Sequence, residues 1–217
     1  MRTILVVDDN PYVVDVFSAM LEMGGYRPIP CQNGKECLEI LKSNSPDLIL
    51  LDIMMKPMDG WETLEKIREN PTTKDIPVIM LTAKQLTPQE AVERGKLIED
   101  YVVKPLTNYE LWDAVERVLS RWRNIRYEIN LARQFGIDQE SLIEYCQLSK
   151  SIDVNKRLMS TLETIYHFNK DNISTNPDFP NSLKMLQSSI SLQEQQLLQI
   201  REKLKNYPEL QHLLITV

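Results

Sequence analysis

Residues 4–9 read ILVVDD, an apolar run that ends in two aspartates. Three more runs in the first half of the chain have the same form, a short apolar segment closed by a polar residue. They are LILLD at 48–52, VIMLT at 78–82 and YVVK at 101–104. Short runs rich in Val, Ile and Leu are typical of strands buried on both faces of a parallel sheet. The sequence therefore predicts several buried strands, each ending in a polar side chain.

Helix patterns lie between these strands. They cover 11–23, 35–43, 60–70 and roughly 88–98, and a weaker apolar run at 26–31 supplies a fifth strand. Asn10 before Pro11 is a helix cap followed by a proline at the first helical position. Thr107, with Glu110 three residues on, forms a capping box that begins a further helix. Five strand and helix units predict an α/β domain with a five-stranded, doubly wound parallel sheet, a fold that binds ligands at the carboxyl ends of its strands.

Composition excludes several classes of protein. The 217 residues carry a net charge of −6. Residues 1–120 hold 13 Lys and Arg against 20 Asp and Glu, and residues 121–217 hold 12 against 11, so neither part attracts nucleic acid. No apolar run reaches the roughly 18 residues of a membrane span, and the N-terminus lacks a signal segment. The three cysteines, 31, 37 and 146, form no metal or redox spacing. We expect a cytoplasmic protein without a membrane segment.

The polar residues at the strand ends suggest phosphoryl transfer. Asp8, Asp9 and Asp52 are expected at one edge of the sheet, where a hard divalent cation such as Mg²⁺ would relieve their mutual repulsion. Asp52 directly follows a buried strand, so its carboxylate can act as a fixed nucleophile towards phosphorus. Thr82 offers a hydroxyl, and Lys104 an ammonium, to the oxygens of a transferring phosphoryl group. Taken singly, each would be an ordinary turn or cap residue, and the prediction depends on their occurring together.

The chain resembles a known family, the receiver domains of two-component response regulators. The resemblance covers residues 2–120 and rests on VVDDN at 6–10, LLDIMMKPMDG at 50–60, VIMLTA at 78–83 and YVVKP at 101–105. It implies a flavodoxin-like receiver fold and a phosphoprotein that accepts its phosphoryl group on Asp52 from a sensor histidine kinase. It implies that the protein is a phosphoacceptor rather than an enzyme, and autophosphatase activity is the one catalytic activity that it leaves open.

The resemblance also implies roles for individual residues. Asp9, Asp52 and the backbone carbonyl of Met54 would bind Mg²⁺, with Asp8 acting through water. Lys104 would pair with the phosphoryl group, and Lys104–Pro105 would be a cis peptide. Thr82 would move towards the phosphate while Tyr101 turns inward, which changes the surface formed by the last two receiver helices and the strand between them.

The chain departs from the family pattern next to the phosphorylation site. The family has proline directly after the Met-Met pair, whereas this chain has Lys56 there and Pro57 one residue later. Lys56 is either a solvated loop residue or a cation that alters the lifetime of the phosphoryl group. Met54 and Lys84, each two positions after a site residue, also bear on hydrolysis, in a direction that the sequence leaves open. Residues 84–99 lack the family's usual Gly-Ala-Asp-Asp run, so the adjoining helix is expected to be displaced.

The last receiver helix is predicted to continue beyond the receiver. Its apolar positions step by four and three residues without a break: Leu111, Val115, Val118, Trp122, Ile125, Ile129 and Ala132. We predict one helix from about 107 to 135, ended by Gly136, whose part at 121–136 is a stem. Two interpretations remain equal, a signalling stem that pairs with a second helix and a helix that folds back on its own chain.

Two longer helices are predicted to form an α-helical hairpin or bundle at 137–217. The first runs from near Asp138 to about 169 and the second begins after Pro180–Asn181, with the polar segment 171–181 between them. Asn155 and Gln193 interrupt the two apolar seams, where they would either fix the register or oligomeric state or be tolerated polar breaks. Such a hairpin needs a partner to cover its second apolar edge.

Three functions compete for this helical output module. We favour dimerisation, as a homodimer, or docking of an unknown protein target. DNA binding is the first alternative, although the long helices carry no basic reading helix, and the five clustered arginines lie on the stem, where they also suit a solvated face: Arg117, Arg121, Arg123, Arg126 and Arg133. Histidine phosphotransfer or an enzymatic output is the second alternative, and its candidates are His167 and His212, which are more simply structural.

Overall fold

The computed structural model describes residues 1–83, 93–135, 139–168 and 179–204. The chain divides into two compact units, one made of residues 1–85 and 97–122 and the other of residues 86–96 and 123–217. Among the described residues, no helix combines the length and the apolar character that crossing a membrane requires.

Five parallel strands form the sheet of the first unit: β1 Thr3–Val7, β2 Arg27–Cys31, β3 Leu48–Asp52, β4 Val78–Thr82 and β5 Asp100–Val103. Their order in space is β2-β1-β3-β4-β5, which is the predicted doubly wound α/β fold. The register places Val7 beside Leu51, and Thr82 beside Val103. The residues that follow β1, β3, β4 and β5 therefore meet at one edge of the sheet.

The helices of the first unit begin at side-chain caps. They are α1 Pro11–Met23, α2 Gly34–Ser43 and α3 Gly60–Glu69. The Asn10 side chain accepts a hydrogen bond from the Tyr12 amide, and Asp59 forms a full capping box with Glu62. These contacts satisfy amides that the helix itself leaves unpaired. Residues 88–92 of the helix predicted at 88–98 lie outside the described residues. The part that the structure describes has helical Glu93 and Arg94 and a 3₁₀ helix at Gly95–Leu97.

The core of the first unit is the apolar sheet covered by helices on both faces. Ile4, Leu50 and Leu81 are fully buried at its centre. Val14, Phe17 and Leu21 of α1 pack against the same cluster, which agrees with the amphipathic pattern that predicted this helix. This packing holds the strand ends in fixed positions, and with them the polar side chains that follow.

The long helix predicted at 107–135 is present as α4 Asn108–Phe135. The Thr107 amide and hydroxyl donate hydrogen bonds of 2.7 and 2.8 Å to Glu110 Oε2, and the Glu110 amide donates to Thr107 Oγ1 at 3.3 Å. These bonds are the predicted capping box, and they hold the pKa of Glu110 below its usual value. Gly136, expected to end the helix, lies outside the described residues.

The second unit contains two long helices, α5 Gln139–Phe168 and α6 Phe179–Leu204, which pack against each other. Each helix buries apolar residues three, four or seven positions apart, among them Tyr145 and Ile152 on α5 and Leu186, Ile190, Leu197 and Ile200 on α6. The two polar seam residues meet. Asn155 Nδ2 donates to Gln193 Oε1 at 3.2 Å, and Gln193 Nε2 donates to Ser151 Oγ at 2.9 Å. We call Ser151, Asn155 and Gln193 the polar seam.

Candidate functional site

Asp52 is the last residue of β3 and is only 5% exposed. Its Oδ2 accepts a hydrogen bond of 2.7 Å from the Met54 amide, because the chain turns sharply after the strand. Gly60 makes this turn possible: a Cβ added there would lie 2.1 Å from the Asp52 carbonyl oxygen, far inside van der Waals contact. The backbone thus fixes the carboxylate at the strand end with its other oxygen, Oδ1, directed towards Lys104.

Lys104 brings two buried carboxylates together. Its Nζ donates to Asp52 Oδ1 at 2.6 Å and also donates to Asp8 Oδ2. The other oxygen of Asp8 accepts from the Asn10 amide at 2.9 Å. The Lys104 amide donates to the Thr82 carbonyl at 2.7 Å, which ties the end of β5 to the end of β4. The Lys104–Pro105 peptide bond is cis, and so is Lys56–Pro57.

The electrostatics of Asp52 follow from this arrangement. Burial raises the pKa of its carboxyl above the usual value, and the negative charge of Asp8 adds to that effect. The hydrogen bond and charge of Lys104, together with the Met54 amide, act in the opposite direction and only partly offset it. Burial therefore makes the ionised form of Asp52 energetically unfavourable, and the neighbouring ammonium of Lys104 stabilises its charge.

Asp9 lies apart from the other two carboxylates. It is exposed, and its Oδ2 accepts a hydrogen bond of 3.2 Å from the Lys56 amide. In the described part of the chain, no three His, Cys, Asp or Glu side chains are close enough together to hold a metal ion. The expected convergence is seen for Asp8 and Asp52, with Lys104 between them, and not for Asp9. Asp8, Asp9 and Asp52 nevertheless lie at or directly after the carboxyl ends of β1 and β3, and carboxylates are ligands that Mg²⁺ prefers.

The two residues expected to switch occupy neighbouring strands. Thr82, at the end of β4, is completely buried, whereas Tyr101 on β5 is half-buried. Their strands pair directly, with Met80 opposite Tyr101 and Thr82 opposite Val103. The structure thus places Asp8, Asp52, Thr82 and Lys104 at one edge, and Tyr101 two residues back along β5 from the partner of Thr82.

Phe17 is a member of this site that the sequence analysis missed. The centroid of its ring lies 5.7 Å from Lys104 Nζ, within the range of a cation–π interaction. Its spacing with Val14 and Leu21 indicates only a buried helix face. The approach of a lysine from β5, far away in the sequence, leaves no local signal.

The remaining candidates cannot be placed at a site. Lys84 and His212 lie outside the described residues, and His167 lies near the end of α5 with a side chain that is also outside them. Lys56 is exposed, and its backbone rather than its ammonium contacts Asp9.

Comparison with protein families agrees with the site. A family model described as the response regulator receiver domain matches residues 4–116. A second model, described as "Metanogen output domain 2", matches residues 121–208. The receiver match covers more than half of the chain and contains every site residue discussed above.

Individual relatives are similar over the same part. The chain is 35% identical over 122 residues to the phosphate regulon transcriptional regulatory protein PhoB of Pseudomonas aeruginosa, which covers 55% of this chain and 52% of that protein. It is 32% identical over 155 residues to the response regulator SaeR of Staphylococcus aureus, covering 71% and 64%. The solved receiver domain of the Francisella response regulator 1452 is 30% identical, with a TM-score of 0.51, covering 56% of this chain and 98% of that one. The chain thus spans less than two thirds of these curated relatives.

Proposed function

Because the chain belongs to the response regulator receiver family, we propose that it is a switch phosphorylated on Asp52 by a histidine kinase. In this reaction, an Asp52 oxygen attacks the phosphorus of a phosphohistidine. An O–P bond forms, the N–P bond breaks, and the imidazole leaves with the electron pair of the broken bond. The observation that carries the proposal is the pair of buried carboxylates, Asp8 and Asp52, that Lys104 joins at the carboxyl edge of the sheet.

The phosphoryl group would be stabilised by the residues around Asp52. Lys104 supplies a positive charge, and the Thr82 hydroxyl a hydrogen-bond donor, for its oxygens. Asp9, Asp52 and the Met54 carbonyl would hold Mg²⁺, with Asp8 acting through water, and the ion would neutralise the charge that develops on the transferring group. Rotation of Asp9 away from the Lys56 amide is part of this proposal, because its carboxylate accepts that hydrogen bond in the structure.

Signal transmission would follow from movement of Thr82 and Tyr101. Phosphorylation draws the Thr82 hydroxyl towards Asp52, and the half-buried ring of Tyr101 turns inward beside it. Since β4 and β5 pair directly, the two movements are coupled through one strand pair. They alter the receiver surface next to β5.

We assign the output to residues 121–217 acting by protein association, as a homodimer or on a separate protein target, with 1–120 as the receiver and 121–136 as the stem. Two long packed helices without a basic cluster support this assignment. The match of 121–208 to an output-domain model supports the boundary. The same proposal places the protein in the cytoplasm, because there it would meet the histidine kinase that phosphorylates it.

Transcriptional regulation through DNA is the second candidate, because the curated relative from Pseudomonas aeruginosa is a transcriptional regulatory protein by name. Two of the five clustered arginines, Arg117 and Arg121, contact residues of the receiver. Arg117 pairs with Asp100 and Asp113, and Arg121 donates to the Glu99 carbonyl at 3.4 Å. This use of Arg117 and Arg121 favours protein association. A salt-sensitive mobility shift with random duplex DNA would instead support the second candidate.

Labelling by a small phosphodonor tests the proposed site. The full chain is incubated with phosphoramidate and Mg²⁺, and the intact mass is measured. We expect one added phosphoryl group, its loss in Asp52→Ala, and loss of the Mg²⁺ dependence together with the activity in Asp9→Ala. Asp15→Ala, which removes an exposed carboxylate of α1, is the matched control and should label normally. Persistent labelling of Asp52→Ala would refute the site.

A further inference from the structure

The chain between Thr82 and Tyr101 passes through the second unit. Residues 86–96 belong to that unit together with α5 and α6, whereas Leu97 begins the return to the first unit. The described part of this passage ends in the 3₁₀ helix Gly95–Leu97, directly before β5. The segment 86–96 therefore begins four residues after Thr82 and ends five residues before Tyr101, the two residues that the proposed switch moves.

Leu97, the last residue of the 3₁₀ helix, is fixed to the first unit by a half-buried arginine. Arg68 of α3 donates hydrogen bonds to the carbonyls of Leu97 at 2.9 Å, Ile76 at 2.7 Å and Lys74 at 2.9 Å. The Glu99 amide, two residues on, donates to the Val78 carbonyl at 2.8 Å. Hydrogen bonds to a charged donor are strong ones. The residues that lead into β5 are thus held to α3 and β4, and a displacement of β5 reaches the 3₁₀ helix through Ile98 and Glu99, the two residues between them.

Gly95, the first residue of the 3₁₀ helix, contacts the polar seam inside the second unit. Gly95 is buried, and a Cβ added to it would lie 2.7 Å from Asn155 Oδ1. Asn155 is itself only 3% exposed, and its Nδ2 is committed to Gln193. Its Oδ1 has no hydrogen-bond partner within the described part of the chain. A buried acceptor left unpaired is costly, so this contact is sensitive to small displacements of the Gly95 backbone.

We propose that the contact between Gly95 and Asn155 transmits the state of the receiver to the helical pair. A shift of β5 moves Gly95 relative to Asn155 Oδ1 and changes how well that oxygen is accommodated. The Asn155 amide holds Gln193, which holds Ser151, so the change reaches both α5 and α6 through two hydrogen bonds. The inference rests on the proposed function, since it requires that phosphorylation moves β5.

Hydrogen exchange of the full chain tests the proposal. Peptides covering residues 148–160 and 186–197 are followed with Mg²⁺, with and without beryllofluoride, a mimic of the phosphoryl group. We expect beryllofluoride to change exchange in both peptides of the wild type. In Gly95→Ala the added methyl group meets Asn155 Oδ1, and this response should be lost while phosphoramidate still labels Asp52.

Asn155→Ala keeps the test decisive if Gly95→Ala fails to fold. It removes the amide without adding bulk, and should also lose the response and retain labelling. Glu93→Ala, an exposed position in the same segment, is the control and should respond like the wild type. A full response in Asn155→Ala would overturn the proposal. A wild type that takes no label at Asp52 would instead refute the proposed function.

Discussion

Asp52 and Lys104 form a buried ion pair, with Lys104 Nζ 2.6 Å from Asp52 Oδ1 and side chains that are 6% and 17% exposed. The same ammonium pairs with Asp8, so one positive charge serves two carboxylates. Burial of the carboxyl, with the negative charge of Asp8 added to it, raises the pKa of Asp52 in spite of the direct hydrogen bond. The charge that makes Asp52 a nucleophile is therefore also a source of instability in the absence of a divalent cation.

The first prediction is that Asp52→Asn stabilises the chain in metal-free buffer at neutral pH. A carboxyl whose pKa is raised by folding binds its proton more tightly in the folded state. Its stabilising contribution is present below the usual pKa of Asp and is lost as the pH rises through the raised value. The amide has no charge to bury, and its single oxygen can accept from Lys104, whereas its NH₂ group no longer accepts from the Met54 amide. Because the lost burial of charge outweighs that one hydrogen bond, we expect a net gain on the order of 1 kcal/mol.

Thermal denaturation with a chelator, at neutral and acidic pH, measures this gain. It should shrink as the pH falls through the raised pKa, because the wild-type carboxyl then also becomes neutral. Asp15→Asn, an exposed change on α1, should leave the melting temperature unaltered. A melting temperature for Asp52→Asn below that of the wild type at neutral pH would show that the ion pair stabilises more than burial costs.

A second prediction concerns Lys104→Ala. The loss of the ammonium removes the main effects that lower the pKa of Asp52, so this pKa should rise further. The transferring phosphoryl group also loses its fixed positive charge, for which we expect labelling by phosphoramidate to slow roughly 100-fold. Initial rates across a pH series measure both effects, the second as an acid limb displaced to higher pH. Lys42→Ala, which removes an exposed lysine from α2, is the control, and equal rates in the two variants would contradict the assigned role.

Much of the fold could be predicted because the strands are short, fully buried apolar runs. The residue after each run lies at the carboxyl edge by geometry alone, which placed Asp8, Asp52 and Lys104 together. Even the weakness of the run at 26–31 has a structural reason. It forms β2, an edge strand, where Pro28 and Pro30 are tolerated because one side of the strand carries no ladder bonds.

The contacts that local pattern could not predict all join distant segments. Phe17 approaches Lys104 from α1. Arg68 of α3 donates to the carbonyls of Ile76, which precedes β4 in the sequence, and of Leu97, which follows it. The polar seam was only half predictable. The apolar pattern placed Asn155 and Gln193 at seam positions, but their hydrogen bond depends on the register between the two helices, which no local pattern fixes. For Asp9 the strand end was predicted correctly, but its side chain accepts a hydrogen bond from the Lys56 amide instead of joining the other two carboxylates.

A third prediction tests the polar seam by a double-mutant cycle. Gln193→Leu leaves Asn155 Nδ2 and Ser151 Oγ without their partner, and should cost about 1–3 kcal/mol of unfolding free energy. Adding Asn155→Leu removes one of the stranded groups and should recover part of that loss. Urea denaturation followed by far-UV circular dichroism measures the cycle. Gln196→Leu, an exposed change on α6, is the control. A Gln193→Leu variant as stable as this control would show that the polar seam does not stabilise the fold.

The last prediction is that the full chain is a dimer with and without beryllofluoride, while residues 1–120 are monomeric. Met185 and Leu192 of α6 are 64% and 57% exposed and, seven residues apart, lie on one face of the helix. A second copy of the chain would cover this face. Leu192→Lys should therefore raise the dissociation constant about tenfold or more. Light scattering over a concentration series measures the mass. Ser191→Lys, with the same charge about 100° round the helix, should remain dimeric, and a full chain that is monomeric under both conditions would direct the search to a separate protein that docks on the helical pair.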